Sequence, residues 1–150
     1  MRVRTSRTLP VPIESLWTML CDSRMTQETR SPLFRVGLPQ PVECRLPDGA
    51  GGVGHSRECK AANGSVHQRI TVWEPPHRLE FRMERTNLVH RWFFDSVVEE
   101  FTLAPEGESS TRVTRVTTGR IKPRFYLLCP FFKVGLREVH RFVFRNWAAA

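Results

Sequence analysis

The sequence predicts an α+β protein built from an antiparallel β-sheet and one long C-terminal helix. From Gly52 to Ile121 the chain is a series of short segments in which apolar and polar residues alternate, separated by turn signals. From residue 125 onward the apolar residues instead recur every three or four positions, as on a helix. A sheet with one apolar face must cover that face, and only this helix is long enough, so we expect the helix to pack on the sheet.

The N-terminal third is expected to contain one strand and two short helices. Residues 2–9 alternate loosely, which predicts a strand, and the apolar residues of 13–20 recur at helical spacing after a proline-containing start. Capping residues at the beginning of 22–29 predict a second short helix. Four prolines and four glycines in 31–52 predict a loop, with one short strand at 42–46.

The central strands follow from turn chemistry and alternation. Asn63-Gly64 is a strong hairpin signal, and it separates strands predicted at 52–60 and 65–73. In the second of these, Gln68 and Ile70 are expected on the inner face and Trp73 on the outer face. After the Pro75-Pro76 turn, alternation is clean, and three residues point inward together: Leu79, Phe81 and Met83. Two further strands are predicted at 93–105 and 110–121, joined by the hairpin sequence "EGES".

The C-terminal helix carries two stripes. The apolar stripe consists of Phe125, Leu128, Phe132, Leu136, Val139, Val143 and Trp147. The basic stripe, at strict i, i+4 spacing, consists of Lys133, Arg137, Arg141 and Arg145. Pro130 lacks a backbone N–H and clashes inside a helix, so we expect the helix to begin near this residue or to kink there.

The order of these elements resembles the START-like superfamily, the polyketide cyclase/SRPBCC group with the helix-grip fold. The resemblance rests on "LPVPIESLWTMLCD", on "ITVWEPPHRLEF", on "STRVTRVT" and on the terminal helix, and it covers nearly the whole chain. It implies one ligand-binding domain over residues 1–150, in which a curved antiparallel sheet wraps the long C-terminal helix and leaves an apolar cavity. Pro130 departs from the family pattern, because it lies where related proteins begin this helix.

Composition narrows the classes of partner. The net charge of +8 comes from twenty Arg and three Lys against fifteen acidic residues, which suits anionic partners or simply a soluble basic surface. No nucleic-acid motif or dense basic run is present, so nucleic-acid binding is not predicted. The N-terminus lacks the apolar h-region of a signal peptide. The apolar segment near residue 130 is too short to span a bilayer. We therefore expect a cytoplasmic protein with four reduced thiols: Cys21, Cys44, Cys59 and Cys129.

Catalytic candidates are few. His55 and Cys59 lie roughly 13 Å apart along a predicted strand, too far to share one zinc ion, so no metal site and no cofactor are predicted. Asp95 and Glu99 share a predicted face with Phe101, and a carboxylate between apolar walls is a candidate general acid or base. The alternative is that both carboxylates are solvated, or that Arg115 on the adjoining strand pairs with one of them.

The leading hypothesis is binding of a small hydrophobic or amphipathic molecule between the sheet and the helix. The predicted apolar walls are Ile70, Leu79, Phe81, Met83, Val97, Phe101, Leu128 and Phe132, and the predicted polar anchors are Gln68, Asp95, Glu99 and Arg115. One alternative is a cofactor-free enzyme of the cyclase or dehydratase kind that uses Asp95 or Glu99. Another is a module whose basic helix contacts an anionic membrane surface. The sequence leaves the oligomeric state and the identity of the ligand open.

Overall fold

The computed structural model describes residues 1–28, 31–46 and 51–150, and it confirms the predicted α+β class. The strands are β1 (Arg2–Leu9), β2 (Ser23–Arg24), β3 (Pro41–Arg45), β4 (Ser56–Ala61), β5 (Gly64–Glu74), β6 (Arg78–Thr86), β7 (Phe94–Pro105) and β8 (Thr111–Ile121). They form one antiparallel sheet in the order β1-β8-β7-β6-β5-β4-β3-β2. The helices are α1 (Ile13–Cys21) and α2 (Cys129–Ala149), with short 3-10 helices at Pro32–Arg35, Val89–Trp92 and Pro123–Leu128.

The segment after α1 corrects the prediction of a second helix at 22–29. Asp22 does not start a helix but ends one, because its backbone N–H donates to the carbonyl of Thr18. Ser23 and the next residue then form β2, which pairs with β3. The backbone of Ser23 and Arg24 therefore pairs with the edge strand β3, and the predicted cap of a second helix does not form. Thr29 lies outside the described residues, and a one-turn 3-10 helix follows only at Pro32–Arg35.

β-Bulges change which side chains of the sheet face the core. The register of β5 shifts twice, between His67 and Gln68 and between Ile70 and Val72. The second shift moves Trp73 onto the core side, where its ring packs edge-on against Trp17 at 5.2 Å between centroids. The prediction that Trp73 faces outward is therefore wrong, because an extra residue in a strand reverses the alternation beyond it.

Helix α2 covers the sheet unevenly. Its C-terminal half is buried against the sheet through Val139, Phe142, Val143, Phe144 and Trp147. Its N-terminal half carries exposed apolar residues, among them Phe131 and Val134. Pro130 lies in the first turn of the helix, where a backbone N–H would form no intrahelical hydrogen bond, so its missing N–H costs little. The prediction that the helix begins near Pro130 is confirmed. No described helix is long and apolar enough to cross a membrane.

The cysteines do not all remain thiols. Cys44 on β3 and Cys59 on β4 lie directly opposite each other, with their Cα atoms 4.0 Å apart, and form a disulfide. The expectation of four reduced thiols is therefore wrong for this pair, because spacing along the chain does not reveal which cysteines pair across a sheet. Cys21 and Cys129 are free. Burial raises the pKa of the Cys21 thiol to about 11.

Candidate functional site

A cavity of about 750 Å³ lies between the inner face of the sheet and helix α2. Strands β2 to β8 contribute to its floor, α2 forms its roof, and the segment 36–41 and the 3-10 helix Val89–Trp92 border it. Most of the side chains that line it are apolar, including Met83, Phe94 and Phe132. Residues from both halves of α2, from Phe131 to Trp147, line the cavity.

Seven of the predicted site residues lie at this cavity. They are Gln68, Met83, Val97, Glu99, Phe101, Arg115 and Phe132. They come from four strands and the helix, and the sheet brings them together although they are up to 64 positions apart in the sequence. Their contact with a ligand stays a prediction.

Five predicted site residues lie elsewhere. Ile70, Leu79 and Phe81 are 0–1% exposed and belong to the solid core rather than to the cavity wall. Leu128 projects to solvent from the 3-10 helix that precedes α2. Alternation along β6 correctly gave Leu79 and Phe81 an inward face, but it cannot show where an inner face touches the helix and where it stands apart from it.

Asp95 is the fifth, and its predicted orientation is wrong. The register of β7 shifts between Phe94 and Ser96, so Asp95 is the extra residue of a bulge and is exposed. The same shift turns Phe94 inward, where it is buried and lines the cavity. Glu99 lies beyond the bulge and faces the cavity, so the two carboxylates never meet in one site.

Glu99 is held by a guanidinium. Arg115 on β8 donates from Nε and Nη2 to the Glu99 Oε2 atom, at 2.7 and 2.6 Å, and both side chains are only 11% exposed. The hydroxyl of Thr117 donates to Oε1 at 3.2 Å. Both carboxylate oxygens are therefore occupied, as the pairing alternative predicted. A carboxylate whose two oxygens are already bound by neighbouring side chains is poorly oriented to act as a general base on a ligand.

His140 on α2 extends this network and was missed from the sequence. Its side chain is fully buried, with Nε2 2.7 Å from the Thr117 hydroxyl and Nδ1 2.7 Å from the Thr5 hydroxyl. A neutral imidazole donates from one ring nitrogen and accepts at the other, so His140 bridges the hydroxyls of Thr5 and Thr117. Burial first, and then the charge of Arg115, lower the pKa of His140 to about 2.

A sequence signal for His140 did exist. This residue follows Leu136 by four positions and precedes Val143 by three, so it shares the buried side of the helix. A histidine at such a position needs hydrogen-bond partners on the facing sheet, and threonines on β1 and β8 supply them.

Arg57 on β4 is the second buried polar residue that the predicted site lacked. Its side chain lines the cavity and the residue is 5% exposed. Nε donates to the Gln68 amide oxygen at 3.0 Å, Nη1 donates to the Leu20 carbonyl at 2.6 Å, and the guanidinium lies 3.6 Å from the centre of the Phe81 ring. Burial lowers the pKa of Arg57 to about 9. The signal was its register opposite Gln68, the one polar residue expected on the inner face of β5.

The mouth of the cavity is apolar. Val36, Val89, Phe131 and Val134 line it and are also exposed to solvent. His90 lies beside them, with Nε2 3.2 Å from the Met83 sulfur, and burial lowers the pKa of its imidazole. No group of three potential metal-ligating side chains occurs in residues 1–28, 31–46 or 51–150.

Comparisons with known proteins agree with this architecture. A family model described as polyketide cyclase/dehydrase and lipid transport matches residues 1–145. The structure is similar to that of protein MLL2253 from Mesorhizobium loti, with a TM-score of 0.63 and 20% identity over 100% of this chain and 98% of that one. It is also similar to a START superfamily protein from Mycobacterium smegmatis, with a TM-score of 0.68 and 10% identity over 99% and 94% of the two chains.

A plant enzyme shares the fold as well. Norcoclaurine synthase from Thalictrum flavum, solved with dopamine and hydroxybenzaldehyde, gives a TM-score of 0.57 and 13% identity over 97% of this chain and 84% of that one. No match was found among the curated proteins compared with the chain. At these identities the structural likeness concerns the fold alone.

Proposed function

The chain belongs to the polyketide cyclase/dehydrase and lipid transport family, and from this premise we propose that it binds a small hydrophobic or amphipathic molecule in the cavity under α2. The single observation that carries the proposal is a cavity of about 750 Å³ with mainly apolar walls and an opening to solvent. Ligand sites usually measure roughly 300–1,000 Å³ and combine apolar walls with a few polar groups. The function is carriage or sequestration of the bound molecule.

The size of the cavity bounds the ligand. At roughly 30 Å³ for each water-sized group, about 750 Å³ accommodates on the order of 20 to 25 non-hydrogen atoms. A twelve-carbon chain with a polar head or a two- to three-ring aromatic molecule fits this bound. The apolar walls favour either one over a sugar or a nucleotide, because each buried polar group without a partner costs affinity.

Filling the cavity tests the proposal, and β7 offers a matched pair of variants. Val97 lines the cavity, whereas the adjacent Val98 is half-buried and does not line it. Binding of dodecanol is measured by native mass spectrometry and isothermal calorimetry for the wild type and both variants. We expect Val97→Trp to abolish binding and Val98→Trp to retain it. Failure of dodecanol and of aromatic polyketides to bind the wild type, or equal binding by both variants, contradicts the proposal.

A second candidate function is contact with an anionic membrane, and the exposed apolar mouth favours it. Leu127 is 92% exposed and Phe131 is 73% exposed, and they lie one helical turn apart where the 3-10 helix passes into α2. Residues 122–137 contain four cationic residues and no acidic residue, and the neighbouring segments 31–42 and 88–94 also contain no acidic residue. Apolar side chains surrounded by cations are typical of surfaces that insert into anionic lipid.

This surface differs from the predicted basic stripe. Arg141 pairs with Glu138 at 2.6 Å, and Arg145 donates to the Glu28 carbonyl at 3.0 Å, so the second half of the stripe has partners within the protein. The membrane-contacting surface proposed here therefore centres on the cavity mouth, where a ligand would enter directly from the bilayer.

Vesicle co-sedimentation tests the membrane contact. We expect the wild type to sediment with phosphatidylcholine vesicles that contain phosphatidylglycerol and the double variant Leu127→Glu, Phe131→Glu to stay in the supernatant. Val53→Glu is the matched control, because Val53 is 68% exposed but does not line the cavity. Sedimentation that the double variant and the control reduce equally contradicts a docking surface at the mouth.

A further inference from the structure

Two arginines line the cavity, and they differ in whether a carboxylate pairs with them. Arg115 is paired with Glu99 at 2.6 Å. Arg57 has no carboxylate oxygen within 4.0 Å among residues 1–28, 31–46 and 51–150, although it is the more buried of the two. Its hydrogen bonds and its ring contact are with neutral groups: a main-chain carbonyl, a side-chain amide and the face of an aromatic ring, and the charge of Glu99 acts on it only from a longer distance.

The neutral contacts compensate this cation only in part. The Leu20 carbonyl lies in the last turn of α1, where carbonyl groups lack intrahelical partners and carry the negative end of the helix dipole. The Phe81 ring adds a cation–π contact. A buried charge nonetheless remains costly without an ion of opposite sign. The lowered pKa of Arg57 reflects this cost, since burial is its largest cause.

The geometry of Arg57 leaves room for an anion. Nε and Nη1 are used, whereas Nη2 makes no hydrogen bond within the part of the chain that the structure describes. The remaining charges that line the cavity balance one another: Glu99 neutralises Arg115, and Glu43 lies 3.6 Å from Lys60. Among the arginine and lysine side chains that line the cavity, Arg57 is therefore the one without an ion pair in the described ranges, which suits a ligand with a negative head group.

We propose that the molecule bound in this cavity is a monoanionic amphiphile of the carboxylate class, whose head group pairs with Arg57 while its apolar part lies along Phe101 and Phe132. This inference rests on the proposed function and narrows it to a ligand class. A carboxylate accepts from the free Nη2 and supplies the missing negative charge. The apolar part replaces water against the aromatic walls of the cavity.

Two probes of equal chain length separate the contribution of the charge from that of the chain. Binding of dodecanoate and dodecanol is measured by isothermal calorimetry at neutral pH. We expect the wild type to bind dodecanoate at least about tenfold more tightly than dodecanol, since a hydrogen bond to a charged group is worth more than about 1.4 kcal/mol. Arg57→Gln should lose this preference, and Arg57→Lys should keep part of the preference. Arg120→Gln, an exposed charge removal on β8, is the control and should retain the wild-type ratio.

The outcomes separate the two proposals. Binding of dodecanol with no preference for dodecanoate overturns this inference and leaves the proposed function standing. A preference that persists in Arg57→Gln also overturns it, because another group then recognises the head. Binding of neither probe by the wild type counts against the proposed function itself. If Arg57→Gln does not fold, the test rests on the ratio of dodecanoate to dodecanol affinity in the wild type and in Arg57→Lys. A wild-type preference for dodecanoate below about threefold then overturns the inference.

Discussion

Acidification from about pH 7.5 to about pH 5 should cost the protein about 2 kcal/mol of unfolding free energy through His140 alone. In the folded state the pKa of this imidazole is about 2, against 6.5 as the ordinary value. The folded state therefore keeps His140 neutral, while the unfolded state binds a proton once the pH falls below 6.5. Stability from this residue is fully present above pH 6.5 and is lost as the pH falls toward 2.

The size of this loss of unfolding free energy follows from how far the pH lies below the pKa of His140 in the unfolded state. Each pH unit below 6.5 favours the unfolded state by about 1.4 kcal/mol, so one and a half units give about 2 kcal/mol. The structure explains why the folded state resists the proton. The imidazole is fully buried, and a positive charge there would be repelled by the nearby guanidinium of Arg115.

Urea unfolding followed by tryptophan fluorescence at the two pH values measures this cost. His140→Gln should be less stable at pH 7.5 by about 1–3 kcal/mol, because the buried hydroxyls of Thr5 and Thr117 lose their partner. At pH 5 the difference from the wild type should shrink by about 2 kcal/mol. His77→Gln, at an exposed turn, is the control and should leave the pH dependence unchanged. An identical pH dependence in the wild type and His140→Gln refutes the reasoning.

Substitutions at three further positions probe the packing around the cavity. Glu99→Gln leaves the Arg115 guanidinium without its counter-charge and should cost about 3 kcal/mol in urea unfolding, and a cost near zero shows that solvent already screens the pair. Gly119→Ala places a Cβ 2.7 Å from the Phe94 ring and should cost about 1–3 kcal/mol, whereas an unchanged melting temperature shows that the ring moves freely. The buried Nε1 of Trp147 has no hydrogen-bond partner in the described ranges. Trp147→Phe should therefore lower the unfolding free energy by less than about 1.5 kcal/mol, and Trp147→Ala by about 3–5 kcal/mol. Equal losses for the two variants contradict this reasoning.

The elements that the sequence predicted well are those in which one period runs without interruption. Alternation along β6 placed Leu79 and Phe81 on the buried face, and helical spacing placed Val143 and Trp147 against the sheet. Turn residues located the hairpin between β4 and β5. In each case one local pattern determines the orientation of the side chains, and tertiary contacts only reinforce it.

The elements that the sequence predicted poorly depend on a single inserted residue or on pairing between strands. A bulge in β7 exposed Asp95, and a bulge in β5 turned Trp73 inward, although the residues around each bulge still alternate. The Cys44–Cys59 disulfide depends on the register between β3 and β4. Neither feature has a local sequence signature, so periodicity alone assigns the wrong face or the wrong oxidation state.

The same distinction explains the outcome at the candidate site. Glu99 and Arg115 were each predicted inside the cavity, and their pairing was one of the stated alternatives. Arg57 and His140 were missed because residue type argues for a surface position, and charged or ionisable side chains are rarely fully buried. Only the partners on other elements, the Leu20 carbonyl and the threonines of β1 and β8, make their burial possible.

The polar network also connects α2 to the sheet beside the cavity. His140 binds hydroxyls on β1 and β8 at once, and this fixes the distance of the helix from the sheet at its midpoint. Phe142 is buried in the core, whereas Phe132, Gly135, Val143 and Trp147 line the cavity on both sides of His140 along the helix. The buried histidine therefore ties α2 to two strands of the sheet, and the same threonine that it contacts on β8 also holds Glu99 in the cavity wall.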